Sequence, residues 1–194
     1  AALGVRGDYP PEFDAVLKSI NARLRNLVRN LRPLALDLGL RPALDELADE
    51  VRRNGNGVSP RLELGPSDAR YPPQVEQHVF RIAQQAVRNT LRHARAKTVR
   101  LRGRLEPDEI DLTVEDDGQG FELGESPDLA ELLAQGHYGL VGMLERAEII
   151  GARVNMHSAP GQGTRVRVTW KRDKPRQRRL DLSESTPSSQ TLRG

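Results

Sequence analysis

The chain contains no cysteine. That excludes a disulfide framework and thiolate metal sites, and it suits a reducing compartment. Aromatic residues make up only 4% of the sequence and hydrophobic residues 37%, so the core must be aliphatic, built mostly from Leu, Val, Ile and Ala. No apolar run approaches the roughly 20 residues needed to cross a bilayer, and no signal peptide is visible. Charge of one sign is also scarce in excess: the net value is +3, and the basic residues are mostly Arg and widely spread. Such a distribution fits a solvated surface better than a nucleic-acid footprint, which would cluster on one face, so no specific nucleic-acid partner is expected. At 194 residues the chain can hold one domain of ordinary size plus a smaller appendage.

What is present centres on Leu112 to Phe121. Leu112 and Val114 alternate with Thr113 and Glu115, the pattern of a half-buried strand. The strand runs into Asp116, Asp117, Gly118, Gln119 and Gly120. Two glycines one residue apart let the backbone turn sharply and approach a ligand closely. A carboxylate at that mouth can accept a hydrogen bond from an exocyclic amine such as the N6 of adenine. The same run also makes good turns without any ligand.

Upstream, Phe13, Leu17, Ile20, Leu24, Leu27, Leu31 and Leu34 alternate steps of four and three, a heptad seam of the kind packed in coiled coils and four-helix bundles. Pro33 kinks or ends that helix. Leu40, Leu44, Leu47, Ala48 and Val51 mark a short second helix, and Asn54 to Gly57 form a turn cluster that reads as a domain boundary.

Beyond it, Arg61 to Leu64 read as a short edge strand. Tyr71-Pro72-Pro73 can start a helix but not sit inside one. Val75, Val79, Ile82, Ala83, Ala86, Val87, Leu91 and Ala94 then fall within an arc of about 180° at helical spacing. Gln85, Asn89 and His93 border that arc as a polar row. Alternating strands follow through Val99 to Leu105, Ile110 to Val114, Val154 to Met156 and Val166 to Trp170, joined by short turns that imply mostly antiparallel pairing. The expected fold is α+β, a two-layer α/β sandwich. Residues 122–135 read as a polar loop, Gly136 to Leu140 as a glycine-bearing approach, and Val141 to Ile150 as a helix, a phosphate site in outline. No Gly-Lys-Ser/Thr follows, so it is not a Walker loop.

In order, these segments resemble the boxes of sensor histidine kinases. Arg81-Ile82-Ala83-Gln84-Gln85-Ala86-Val87-Arg88-Asn89-Thr90-Leu91-Arg92-His93-Ala94 resembles the N box, and Asp116 to Phe121 the first glycine box. Gly136 to Arg146 resembles the second glycine box, and Gly161-Gln162-Gly163-Thr164 the last. The Tyr138-Gly139-Leu140 variant and the upstream Leu31-Arg32-Pro33 look like the nitrate- and cold-sensor subgroup. The resemblance covers about residues 12–170 and implies a Bergerat-type ATP-binding fold. It implies that Asn89 ligates Mg2+, that Asp116 binds adenine with Gly118 and Gly120 forming the turn, and that Thr164 lies near the base. His93 joins the nucleotide contacts, and His137, Tyr138, Gly139 and Leu140 form the lid hinge at the phosphates. Gln85 and Asn89 are the implied catalytic pair. ATP and Mg2+ are the implied cofactors, and a response regulator is the implied partner.

Two departures stand out. Gln85 occupies a position that usually carries Glu, and an amide cannot take a proton from water, which disfavours gyrase-like hydrolysis. The acceptor-histidine motif is absent: His78 and His93 lie on the nucleotide helix, His137 in the hinge and His157 in a strand. The expected organisation is therefore a partial dimerisation region over 1–56 without its phosphoacceptor helix, an ATP-binding domain over 57–172, and a basic, Ser-rich disordered tail over 173–194. The acceptor helix would be supplied elsewhere, and the segment would be cytoplasmic in a parent that can be membrane-attached. The competing expectations are a non-catalytic, dimerising nucleotide-binding regulator and a gyrase-type ATPase.

The seam yields the first test. Each buried seam side chain is worth about 1.5–3 kcal/mol, so an unpartnered seam drives association. Ile20→Asp with Leu24→Asp is expected to give a monomer with unaltered ATP binding, read by sedimentation and titration on one sample. A native chain that is already monomeric, with a well-protected first helix, would contradict the seam reading.

Overall fold

The computed structural model describes residues 34–55, 57–65, 67–124 and 129–173. The heptad helix expected over 12–34 and the tail expected over 173–194 therefore fall almost wholly outside the described residues, as does dimerisation through that helix.

A 3-10 turn, Leu34–Asp37, leads through Gly39 into helix α1, Leu40–Asn54. Its Leu40, Ala43, Leu44, Leu47, Ala48 and Val51 recur at helical spacing and are buried. Strand β1 is Ser59–Leu64, and helix α2, Pro73–Asn89, starts on a proline whose missing N–H no helix needs there. A π-turn, Thr90–Ala94, continues α2 and is ended by Arg95 in the left-handed region. Strands β2, Thr98–Glu106, and β3, Glu109–Asp116, form a hairpin in which Leu105 faces Ile110 and Val99 faces Asp116. Helices α3, Leu129–Ala134, and α4, Tyr138–Ile149, precede strands β4, Arg153–Ser158, and β5, Thr164–Lys171.

The five strands lie in the order β1-β2-β3-β5-β4. β1 runs parallel to β2, while the other pairs are antiparallel. Alternation divides the sheet. Leu101, Ile110, Leu112, Val114, Val166 and Val168 join the core with α2 and α4, while the opposite face is charged. There Glu115 accepts from Arg100 Nη1 at 2.8 Å, Arg102 Nη2 at 3.1 Å and Arg165 Nε at 3.0 Å. Burial pushes the Glu115 carboxyl up, but the three guanidinium bonds outweigh it and hold its pKa below the usual carboxylate range.

The start of α2 is held by a buried acid. Glu76, 1% exposed, accepts from the Tyr71 backbone N–H at 3.1 Å and Arg70 Nε at 2.9 Å. The Tyr71 hydroxyl reaches the Glu106 carbonyl at 2.9 Å, and burial, with Glu106 and Glu76 nearby, pushes its phenol up to about 12.

Three expectations change. The turn at Asn54–Gly57 does not separate two cores, because Leu40, Leu44, Leu47 and Val51 belong to the same cluster as the sheet residues. α1 packs against β1, and Arg41 Nη1 donates to the Leu64 carbonyl at 2.6 Å. Leu91, expected in the buried arc, is 38% exposed, because the i to i+5 bonding of the π-turn rotates it off the α2 stripe. The loop expected over 122–135 contains α3, whose Leu132 is 1% exposed.

If α1 is part of this core, Leu44→Ala should lower the stability of the whole fold by about 2–5 kcal/mol. Urea unfolding followed by far-UV signal and by Trp170 fluorescence should then shift together. A Trp170 midpoint left unchanged would separate α1 from the sheet.

Candidate functional site

The site forms where the end of α2, the tip of β3, the start of α4 and the start of β5 meet. They enclose a cavity of about 380 Å³ with apolar walls from Ala86, Val114, Leu140 and Val166. A larger hollow of about 700 Å³ opens across the Asp116–Thr164 edge, lined by charged groups including Arg61, Arg100 and Arg165. The smaller cavity is the candidate site, since it joins an apolar slot to a few convergent polar groups.

Asp116 is the last residue of β3 and stands at the cavity wall. Its Oδ1 accepts the Gly118 N–H at 2.9 Å and the Thr164 N–H at 3.3 Å, and its Oδ2 accepts the Thr90 hydroxyl at 3.0 Å. The following turn is tied down by Asp117, whose Oδ1 accepts the N–H groups of Lys97 and Thr98 at 2.8 Å each. Burial pushes the Asp117 carboxyl up, but these backbone donors outweigh it and lower its pKa. Gln119 N–H reaches the Ala94 carbonyl at 2.7 Å, and its side-chain amide reaches the His93 carbonyl at 2.8 Å. The turn thus locks onto the π-turn as well as onto β2.

Gly163 and Gly118 show why this junction excludes a Cβ. A Cβ on Gly163, at φ +71, would lie 2.0 Å from the Asp116 carbonyl oxygen, and one on Gly118 would lie 2.3 Å from that of Ala94. Both obstacles are backbone, so no side chain can be accommodated without moving the strand or the π-turn.

At the opposite end, α4 begins at Tyr138 with His137 as its first flanking residue. Gly139 faces α2, where a Cβ would lie 2.8 Å from Gln85 Nε2 and 3.5 Å from Asn89 Oδ1. Gln85 Nε2 donates to Asn89 Oδ1 at 3.0 Å. The His137 ring lies 5.4 Å from that of Phe121. This end is polar, with Asn89, His93, His137 and Gly136 around the rim.

Of the residues singled out from sequence, Asn89, His93, Asp116, Gly120, His137, Gly139, Leu140 and Thr164 line the cavity together. Gly118 lies behind Asp116 as a donor, and Gln85 acts on Asn89 without lining the cavity. Tyr138 does not line it and is 70% exposed, because the first helical residue projects outward while its neighbours turn in. Sequence reasoning did not single out Thr90, Phe121 or Gly163. All three sat inside quoted motifs, Thr90 in Arg81–Ala94, Phe121 in Asp116–Phe121 and Gly163 in Gly161–Thr164, but no role was assigned to them.

The donor set suits an adenine nucleotide: a held carboxylate acceptor at an apolar slot, and a roomy polar end. Among the described residues no three His, Asp or Glu side chains converge to hold a metal. The single amide oxygen of Asn89 fits Mg2+, which takes few protein ligands and draws the rest from phosphate and water.

Comparison with known proteins bears on the family and the fold. Residues 74–174 match the family described as histidine kinase-, DNA gyrase B-, and HSP90-like ATPase. An uncharacterized sensor-like histidine kinase of Chloroflexus aurantiacus is 32% identical over 161 residues, covering 81% of this chain and 26% of that protein. The sensor protein VraS of Staphylococcus aureus is 31% identical over 159 residues, covering 81% of this chain and 43% of its own length. The chain thus spans less than half the length of these relatives. Among solved structures, the histidine kinase domain of the Erythrobacter litoralis EL346 blue-light activated kinase superposes with a TM-score of 0.53 at 20% identity, over 68% of this chain and 60% of that one. The ATP binding domain of PrrB from Mycobacterium tuberculosis gives 0.51 at 19%, over 68% and 93%. At those identities the likeness is one of fold.

Gly139→Ala should push the Gln85 amide away from Asn89 while leaving Asp116 undisturbed. In nitrogen-proton NMR spectra the side-chain NH2 signals of Gln85 and Asn89 should move and the Gly118 amide should not. Unmoved Gln85 and Asn89 signals would mean that the α2–α4 contact is not formed.

Proposed function

Because the chain belongs to the family of histidine kinase-, DNA gyrase B-, and HSP90-like ATPases, we propose that it is the ATP-binding catalytic part of a two-component sensor histidine kinase. It would pass the γ-phosphoryl group to a histidine outside this chain, for relay to a response regulator. The observation that carries the reading is Asp116, fixed by donors from the turn, β5 and the π-turn at the wall of an apolar cavity.

Each residue has a task the geometry supports. Asp116 accepts a hydrogen bond from the exocyclic amine of the base, and Val114, Val166 and Leu140 exclude water around the ring. Asn89 offers its amide oxygen to Mg2+, while Gln85 holds that amide through their 3.0 Å bond. When bound, Mg2+ neutralises charge on the phosphoryl oxygens. His93, His137 and the space beside Gly139 form the polar end that receives the phosphates. The α4 N-terminus adjoins that end and favours negative charge.

Phosphoryl transfer of this kind rests on positioning and charge neutralisation. Gln85 cannot act as a general base, which disfavours steady hydrolysis but not attack by an imidazole that is itself the nucleophile. Dimerisation through residues 12–34, the nitrate- and cold-sensor subgroup and a membrane-attached parent complete the proposal. Among the described residues no helix is long and apolar enough to cross a membrane. The rival expectation, a dimerising nucleotide-binding regulator without transfer activity, gains no support from relatives that are named sensor kinases.

Two variants separate the parts of this reading. Asp116→Asn should weaken ATP binding by about 1.5–3 kcal/mol, since it loses a charge-assisted acceptor. Calorimetric titration checks this, and equal affinities would remove Asp116 from the site. Asn89→Ala should reduce transfer to a supplied acceptor helix far more than it reduces ATP binding. Native-rate transfer by that variant would refute the role of Asn89, and a native chain that binds ATP without transfer would favour the regulator.

A further inference from the structure

How Asp116 is held determines which donors it can still accept. An ionised carboxylate offers two acceptor sites on each oxygen. On Oδ1 both are engaged, by the Gly118 N–H at 2.9 Å and the Thr164 N–H at 3.3 Å. On Oδ2 one is engaged, by the Thr90 hydroxyl at 3.0 Å. Among the described residues no other donor reaches Oδ2, so Thr90 alone restrains that side of the carboxylate.

The Thr90 hydroxyl lies between two acceptors, with the Ala86 carbonyl at 3.2 Å. It has one proton to donate. The Ala86 carbonyl already receives the Thr90 backbone N–H, whereas Oδ2 carries charge and has no other partner. The hydroxyl hydrogen therefore points to Asp116 Oδ2, where a charge-assisted bond is the stronger of the two. Thr90 is 2% exposed and sits in the π-turn, so its side chain is fixed on the carboxylate rather than free to solvent.

We propose that Thr90 is a specificity-determining residue that selects adenine over guanine by pinning Asp116 and leaving it one open acceptor site. This rests on the reading of the cavity as an adenine-nucleotide site. The adenine edge offers an exocyclic N–H beside a ring nitrogen that only accepts, so one open site suffices. The guanine edge offers two adjacent donors, N1–H and N2–H, and an O6 that repels a carboxylate. With Thr90 in place the carboxylate can serve only one of those donors. Without it, Oδ2 has two open sites and the carboxylate is held only through Oδ1, so Oδ2 can turn to meet both guanine donors.

The test is calorimetric titration of Mg-ADP and Mg-GDP into the full chain, for the native protein, Thr90→Val, Thr90→Ser and Asp116→Asn. The native chain should prefer ADP. Thr90→Val, which keeps the branched shape, should lower the ADP:GDP affinity ratio by roughly tenfold, the equivalent of one hydrogen bond. Thr90→Ser should keep the native ratio. If Thr90→Val does not give a native-like melting transition, Thr90→Ala is measured in its place with the same expectation. A merely structural role would weaken both nucleotides equally, and an unchanged ratio would overturn the proposal. If Asp116→Asn lowers ADP affinity while the Thr90 variants leave the ratio alone, only the role of Thr90 falls. If the native chain binds neither nucleotide, the nucleotide reading falls and the proposal with it.

Discussion

The carboxylate of Asp116 is the point at which four parts of the chain are tied together. The turn supplies Gly118 N–H, β5 supplies Thr164 N–H, the π-turn supplies the Thr90 hydroxyl, and β3 supplies the aspartate. The bonds run from 2.9 to 3.3 Å, and the partners come from segments 26 and 48 residues away as well as from the adjacent turn. A carboxylate so placed would be costly to bury without donors. Its donors in turn fix how far β5, the π-turn and the glycine turn can move relative to each other. The cavity wall is therefore cross-braced on the Asp116 side.

The rest of the fold can be read as support for that junction. The aliphatic core beneath the sheet includes α1, so the scaffold reaches back to Leu36. On the far side of the sheet, Glu115 gathers three arginines from β2 and β5, a network more exposed and weaker per pair than the core, but placed directly beside Asp116. Toward the Asn89 end the construction changes. There the contacts are side-chain amides and a helix start that a single glycine keeps close to α2.

Much of this was legible in the sequence where the signal was local. The Asp116–Gly120 run announced a turn at a strand mouth because strand alternation, carboxylate and glycines are contiguous. α2 was legible from its apolar stripe, and the sheet from short alternating runs. Signals that depend on distant partners were not. Thr90 lies mid-helix in sequence, and its bond to Asp116 spans 26 residues. Placing Leu91 required knowing that α2 gives way to a π-turn. The assignment of α1 to the sheet core was hidden because an apolar helical stripe has the same period whichever partner covers it. α3 escaped because six residues flanked by acidic and proline-containing sequence give too little periodicity to score. The outward direction of Tyr138 was hidden for a geometric reason: whether a residue at a helix start faces in or out depends on where the first turn begins.

Every role proposed for these residues requires the apolar cavity at Asp116 to be the nucleotide site. Nitrogen-proton NMR spectra recorded while Mg-ADP is added to the chain test it most directly. The largest amide shifts should fall on Gly118, Gly120, Thr164 and Thr90 at the base side and on Gly139 at the phosphate side. The amides around Arg61 and Gln162 in the neighbouring charged hollow should move little. Shifts concentrated in that hollow, or no shifts at saturating nucleotide, would contradict the claim.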